Sequence, residues 1–570
     1  MSKAALPAGR RGLEWLARRP VLVLLLVCFA VWLPGFFSLP PLDRDESRFA
    51  QASKQMIESG DYVDIHFSTV PRYNKPVGIY WLQAASARMF GHPPYNQIWT
   101  YRIPSLAGGI LAALFGYWLA RGFAPPATAL VAAALLALIV LLAAEAEIAK
   151  TDALLLATVV GAQGLFMRAY LFARNELAKP PGLWVALAGW AAIGVGVLLK
   201  GPVILAVLAL TAIAISLWDR NWSWLRTARS GRGILVAAAI VLPWALAIAF
   251  ATHGAFYEKS LGHDFAAKVL EGQESHGAPP GYFLALASLT LWPVTLFALP
   301  AFGWAISRRS DPAIRYLLAW LVPNWVMFEL IPTKLPHYIL PVYPALACLA
   351  AIWAMRPASE GSSVSQRVLR ILAIVQFLLA IAIFCGAAMI LPGRFGGRVE
   401  WWTASGLVLA AFLGIAASIV LLLRKPAWAV ICASASAVIL YPLLTAGVAP
   451  ALSAIWLSPR LSERAAIDRK PGDPPLVLAG YVEPSLIFLL GSATHIESGA
   501  NAAGTGIQQG GLALVEDHER PNFLHELRTL GGKASVVDQV SGFNYSRGRY
   551  EHVTFYRITQ VPRITAPPPE

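Results

Sequence analysis

The sequence predicts an all-α polytopic membrane domain of about 13 transmembrane helices, followed by a small C-terminal α/β domain outside the membrane. Composition and pattern predict it together. Hydrophobic residues make up 57% of the 570, charged ones only 14%, and the mean hydropathy is +0.57. A soluble globular chain carries roughly a quarter charged residues, so the surplus apolar surface has to face lipid. The apolar residues also come in runs of about 20, the length that crosses a hydrocarbon core ~30 Å thick. Many of the 20 Trp sit at the ends of these runs, where an amphipathic ring suits the headgroup region.

The runs lie near 21–39, 103–121, 126–144, 152–172, 183–199, 202–218, 233–251, 281–304, 314–331, 337–355, 368–391, 402–423 and 427–447. A cytoplasmic N-terminus and simple alternation give cytoplasmic connections that contain Arg121; Arg174 and Lys179; Arg220, Arg226, Arg229 and Arg232; Arg308 and Arg309; Arg356, Arg367 and Arg370; and Arg424 with Lys425. Every one is basic, as the positive-inside rule requires. The net charge of +14 is thereby a matter of topology, with no nucleic-acid partner implied. Arg10, Arg11, Arg18 and Arg19 ahead of the first run resemble a signal peptide. No small-x-small cleavage site follows, so the run reads as an uncleaved first span. The four cysteines all fall inside apolar runs, which leaves no disulfide framework for the outer loops.

Three stretches do not read as membrane, and alternation puts all of them outside. The chain therefore divides into a membrane domain, 1–450, with outer loops 40–101 and 252–280, and an outer α/β domain, 451–570. Within the first loop, Phe49, Ala52, Ser53 and Met56 recur at helical spacing, and 77–90 forms a second amphipathic segment. Such helices suit the interface plane, with their apolar faces in lipid. Beyond 450, strands are expected at 476–478, 513–515, 536–540 and 553–556, and helices at 485–490 and 522–530.

Six polar interruptions of the apolar pattern carry the candidate chemistry. Asp43-Arg44-Asp45-Glu46-Ser47-Arg48 packs three carboxylates into four residues, which reads either as the acidic first turn of a helix or as a general base at a cavity mouth. In Arg72-Tyr73-Asn74-Lys75-Pro76 the lysine either snorkels to the interface or holds a phosphate as a point charge. Glu145, Glu147, Lys150, Thr151 and Asp152 interrupt a long apolar stretch, where ionisable groups face a cavity or one another. Lys200-Gly201-Pro202, Glu258 to Asp264 with His263, and Pro332-Thr333-Lys334-Leu335-Pro336-His337-Tyr338 complete the set. A lone loop histidine is more often neither base nor metal ligand. All six fall on the outer face. Carboxylates, lysines and a tyrosine gathered there suit an anionic, phosphate-bearing amphiphile and proton abstraction from an acceptor. No Gly-rich phosphate loop of the dinucleotide or Walker kind occurs.

Five stretches in this order resemble the polyprenyl-phosphate-dependent glycosyltransferases of the GT-C type, in the bacterial branch of the aminoarabinose-to-lipid A transferases and the protein mannosyltransferases. They are Asp45-Glu46-Ser47-Arg48-Phe49-Ala50, Arg72-Tyr73-Asn74-Lys75-Pro76-Val77-Gly78-Ile79-Tyr80-Trp81, Lys150-Thr151-Asp152-Ala153-Leu154, Leu199-Lys200-Gly201-Pro202 and Thr333-Lys334-Leu335-Pro336-His337-Tyr338-Ile339-Leu340-Pro341. The resemblance implies a GT-C fold and inverting transfer of a sugar from a lipid-phosphate donor to lipid A, core or another envelope glycan, at the outer face of an inner membrane. It implies Asp45 as general base or orienting group and Asp152 as the second acidic position. Arg48, Lys75, Lys200, Lys334 and Tyr338 are implied as donor and phosphate contacts. Glu46, Tyr73 and His337 are expected around the acceptor or cavity. His263 resembles a metal-ligating position, so a divalent metal ion is the one cofactor implied. Asn74 departs from the glutamate common in the aminoarabinose branch and is a poorer metal ligand, which puts metal and sugar identity in question. The rival reading is a transporter or flippase of lipid-linked sugars. Such proteins often show duplicated halves and polar groups at mid-depth, and neither pattern is visible.

Overall fold

In this computed structural model, which describes residues 8–265, 277–356 and 364–560, nine helices are long and apolar enough to cross a membrane. A tenth span is a broken pair, α6 (Pro126–Ala137) and α7 (Val140–Ala146), bent by 64°. The other expected spans are present as shorter or more polar helices: α10 (Val203–Asp219), the pair Tyr282–Thr290 and Thr295–Ser307, and Pro312–Leu330. The chain is a multi-pass membrane protein.

The break in α6–α7 has a satisfied backbone, as membrane depth demands. The Tyr441 hydroxyl donates to the Leu138 carbonyl at 2.6 Å, and the Val140 N–H donates to the Trp292 carbonyl at 2.9 Å. The bend lets the chain descend early and delivers Glu145 to Asp152 to the edge of the bundle. From Asp152 runs α8 (Asp152–Ala173), which is buried along almost its whole length and so forms the central post of the domain. The neighbouring α9 (Leu183–Lys200) ends where Gly201, at φ 68, breaks it. An acidic residue thus opens α8 and a basic one closes α9, each at the helix end whose dipole favours it.

In the first outer loop, α3 (Asp45–Ser59) opens with Asp45 and Glu46 and stops at Gly60, whose φ of 75 only glycine adopts freely. It lies buried within the protein: Phe49, Ala52 and Met56 are covered, and so are Gln51 and Lys54. The expectation of a helix resting on lipid is therefore corrected for this segment. The helix α4 (Gly78–Phe90) does expose an apolar face, with Trp81, Leu82, Met89 and Phe90 outward. A small hairpin, β1 (His66–Phe67) and β2 (Val70–Pro71), joins the two.

The Glu46 side chain fixes α3. Its carboxylate meets the Arg102 guanidinium at 2.8 and 2.9 Å and accepts from the N–H groups of Leu42 and Ala149. Arg102, in α5 (Ile98–Ala120), spends its remaining donors on the carbonyls of Phe36, Leu39 and Pro40. One buried pair therefore ties the first span, the loop helix, α5 and the 147–151 turn together.

The C-terminal domain carries a five-stranded sheet in the order β4-β3-β5-β7-β6, made of β3 (Val477–Ala479), β4 (His495–Glu497), β5 (Gly511–Glu516), β6 (Lys533–Asn544) and β7 (Arg549–Thr559). β3 is parallel to β4 and β5, while β7 is antiparallel to β5 and β6. The expected strands and both expected helices are present. The strand β4 and the helices Leu457–Asp468 and Gly499–Gln509 add to them; the last is rich in glycine and alanine.

Replacing Glu46 with alanine strands a buried guanidinium, a loss of roughly 3–5 kcal/mol. Thermal unfolding of the purified protein in detergent is expected to show a much lower melting temperature for Glu46→Ala, with Arg102→Met shifting it in the same direction.

Candidate active site

At the N-terminal end of α8, four helix ends and the link that carries Lys150 bring five ionisable side chains together. The Lys200 ammonium is bonded to Asp152 Oδ1. The Lys150 ammonium lies 3.2 Å from Glu145 Oε1, 4.0 Å from Asp152 Oδ2 and 3.4 Å from His337 Nδ1. His337 Nε2 is 4.0 Å from Asp152 Oδ2. Burial alone would pull the Lys150 ammonium down, but Glu145 and Asp152, with Asp45 behind them, hold it above its ordinary value. It stays charged throughout the physiological range.

This cluster forms one wall of a polar cavity of about 100 Å³, closed by Asp45 and Arg48 of α3, by Arg72, Asn74 and Lys75, and by Thr333, Leu335 and Tyr338. The Arg72 guanidinium lies 5.2 Å over the Phe49 ring and donates to Tyr80 Oη at 3.2 Å, which aims it along the cavity floor. The Lys200 ammonium lies 5.0 Å over the Tyr338 ring. A second, apolar cavity of about 310 Å³ adjoins the first and shares Asn74, Lys75, Lys200, His337 and Tyr338 with it. Leu198, Val203, Leu205, Val241, Trp244 and Phe256 line its remaining walls.

Asp45, Asp152, Arg48, Lys75, Lys200, His337 and Tyr338 therefore come together as the sequence predicts. Three expected site residues do not reach either cavity. Glu46 is occupied by Arg102, as described. Tyr73 is buried edge-to-face against Phe256, with its hydroxyl 3.4 Å from Asp64, and burial pushes its phenol up to about 12. The Lys334 ammonium donates to the carbonyls of Ala278 and Ile331 at 2.8 and 2.7 Å, so it staples loop backbone. Burial lowers its pKa. His263 falls in the turn Glu258–Phe265, but its side chain lies outside the described residues. Arg72 and Lys150 are site residues that motif reading passed over. Their signal was present, since each is the extra cation of a polar cluster.

No group of three or more His, Cys, Asp or Glu side chains suited to a metal occurs among the described residues, and Asn74 offers a neutral amide where a carboxylate is the better ligand.

The bundle, its two loop helices and the C-terminal sheet recur together in solved structures. ArnT from Cupriavidus metallidurans superposes in its apo state with a TM-score of 0.70 at 19% identity, over 95% of this chain and 98% of that one. Its undecaprenyl-phosphate-bound form does so with 0.68 at 19% identity, over 97% and 99%. Residues 21–255 match the family model of dolichyl-phosphate-mannose-protein mannosyltransferases. The chain is 30% identical over 376 residues to the undecaprenyl phosphate-alpha-4-amino-4-deoxy-L-arabinose arabinosyl transferase of Pseudomonas paraeruginosa, a match spanning 64% of this chain and 65% of that relative. The match thus spans just under two thirds of the relative's own length. A similar transferase of Pectobacterium carotovorum subsp. carotovorum is 28% identical over 73% of each chain. In fold and sequence the chain resembles the polyprenyl-phosphate-dependent GT-C glycosyltransferases.

A charge-assisted contact to phosphate contributes about 1.5–3 kcal/mol, or roughly tenfold to a hundredfold in affinity. Lys200→Met is therefore expected to weaken binding of a polyprenyl phosphate by about that factor, measured by microscale thermophoresis in detergent. Lys334→Met is expected to leave it unchanged.

Proposed function

We propose that this protein transfers a sugar from a polyprenyl-phosphate donor to lipid A, core or another envelope acceptor, at the periplasmic face of an inner membrane. One observation carries the reading: a small polar chamber and a larger apolar cavity meet at a shared wall of Lys75, Lys200, His337 and Tyr338. A lipid phosphate has that same division of character. Its prenyl chain suits the apolar cavity, its phosphate the cationic wall, and the sugar the chamber bounded by Asp45 and Asp152. The undecaprenyl-phosphate ligand of the structurally similar ArnT and the lipid-phosphate donor in the relatives' names support the assignment.

The chemistry is a displacement at the anomeric carbon. The bond from that carbon to the phosphate oxygen breaks, an acceptor oxygen attacks from the opposite face, and the configuration inverts. The departing polyprenyl phosphate carries the negative charge, which Lys75, Lys200, Arg48 and Arg72 neutralise in place. Asp152 does not attack; it holds the Lys200 ammonium in register with the leaving group. Asp45 is the first residue of α3 and borders the polar chamber. With a hydroxyl acceptor it takes the proton as the new bond forms. With an ionised phosphate acceptor there is no proton to take, and Asp45 orients the nucleophile. The basic connections support a cytoplasmic N-terminus and a periplasmic C-terminal domain, an orientation in which the chamber faces the side where a flipped lipid-linked donor presents its headgroup.

The test is transfer in detergent from a panel of polyprenyl-phosphate sugars to extracted envelope lipids. Wild type should transfer at least one sugar, and Asp45→Asn should lower the rate by roughly a hundredfold to ten-thousandfold while remaining folded. Full activity in Asp45→Asn would remove the carboxylate from the mechanism. Sugar-lipid movement across reconstituted vesicles without any transfer would assign the protein to the flippases.

A further inference from the structure

Asp45 is the first residue of α3, and the two residues before it are held by the C-terminal domain. The Asp43 N–H donates to Tyr545 Oη at 2.6 Å, and its carboxylate accepts from the Ser485 hydroxyl. Ser485 Oγ lies 2.6 Å from Ser458 Oγ, which in turn lies 2.9 Å from Tyr481 Oη. The Arg44 guanidinium donates to the Ser546 carbonyl. Arg44 itself sits at φ 64, ψ −109, outside the left-handed helical well, a conformation that a non-glycine residue holds only where its surroundings impose it. On the other side of Asp45, Glu46 is locked to Arg102. The carboxylate that faces the polar cavity is thus flanked by two clamps, one from each domain.

The gripping residues have a common origin in the sheet. Ser485 opens the helix Pro484–Leu490 just beyond the C-terminal end of β3, and Tyr545 and Ser546 form the β6–β7 turn. Asn544 ties the two segments together by donating to Glu483 Oε1 and Glu551 Oε2, both at 2.9 Å. Ligands of open α/β sheets usually bind at the carboxyl ends of parallel strands, and here that edge holds a loop of the membrane domain.

We propose that Ser485 and Tyr545 are positioning residues for sugar transfer: through Asp43 and Arg44, the C-terminal domain sets the orientation of Asp45 in the polar cavity. The proposal rests on the transferase reading above. A tether alone needs no grip at this place, because the domains already meet through Gln51 to Ser492 at 2.7 Å, Lys54 to the Phe488 carbonyl at 3.3 Å, and the edge-to-face contact of Tyr101 with Phe488. The grip falls instead on the strained residue next to Asp45. It also retains an anion at a cost: burial, with Glu483 nearby, pushes the Asp43 carboxyl up to about 6 against the help of Ser485, Tyr545 and Arg44. Tyr481 also faces it. Because this value lies above the ordinary 3.8, the folded form binds the proton more tightly, and stability falls as pH rises from about 4 to 6. Asp43→Asn should therefore not lower the melting temperature at pH 7.5, although it removes the charge from the grip.

The experiment uses the full-length protein in detergent, as wild type, Ser485→Ala, Tyr545→Phe, the double variant, and Arg464→Ala as a control that breaks only a surface pair with Asp538. Two quantities are read: transfer kinetics, and hydrogen exchange of amides 43–48. The double variant is expected to lose about tenfold to a hundredfold in kcat with the donor KM within about twofold. Its exchange should quicken at 43–48 alone, and its melting temperature should stay close to wild type. The control should change nothing. Unaltered kcat and exchange in the double variant overturn the proposal, and so does a fall in melting temperature with parallel loss of kcat and exchange protection throughout the domain interface. If wild type transfers no sugar, the functional reading fails, while exchange still decides the grip: quickening confined to 43–48 supports it and unchanged exchange overturns it.

Discussion

Ionisable groups at the edge of a bilayer persist only where they face one another, and the Asp152–Lys200–Lys150–Glu145 group meets that condition at the N-terminal end of α8. Much of the surrounding architecture serves it. The broken α6–α7 span delivers Glu145 and Lys150, Gly201 ends α9 at the point where Lys200 reaches Asp152, and the link Pro336–Val342 presents His337 and Tyr338 from the far side. The charges are paired and yet border open space, so they are poised for an anion to enter among them.

The same arrangement explains why two cavities of opposite character meet. Membrane helices cannot leave polar groups facing hydrocarbon, so the polar chamber is confined to the zone where helix ends and outer-loop segments meet. Just below, the helices α9, α10 and Ser230–Ala251 diverge and leave an apolar space. An amphiphile with a phosphate at the junction satisfies both regions at once. The loop helix α3 closes the chamber from above, and its burial beneath the C-terminal domain gives that domain a mechanical path to the chamber.

Much of this was legible in the sequence, because membrane composition is a strong signal and the polar interruptions are few. Direction was not legible. Asp45 and Glu46 are neighbours on a helix, about 100° apart around its axis, so only one of them can face the cavity, and the residue pairing that decided between them is Arg102, hidden at the head of an apolar run. Tyr73 and Lys75 are two residues apart in an irregular link, and only the packing of Phe256 onto Tyr73 turns that ring away. Lys334 sits in a motif next to true cavity residues, yet its ammonium is spent on the carbonyls of Ala278, 56 residues away, and of nearby Ile331. Span 126–144 reads as continuous because hydropathy does not register a bend whose freed backbone groups are satisfied by neighbours.

The central claim is that the junction of the two cavities is the seat of a lipid phosphate. The most direct measurement is a cryo-electron-microscopy structure of the protein in nanodiscs with added undecaprenyl phosphate. The account predicts phosphate density between Lys75 and Lys200, with the prenyl chain running past Trp244 and Phe256. Density for the headgroup elsewhere, or an apolar cavity closed by inward movement of α9 and α10 with the lipid outside it, would contradict the account.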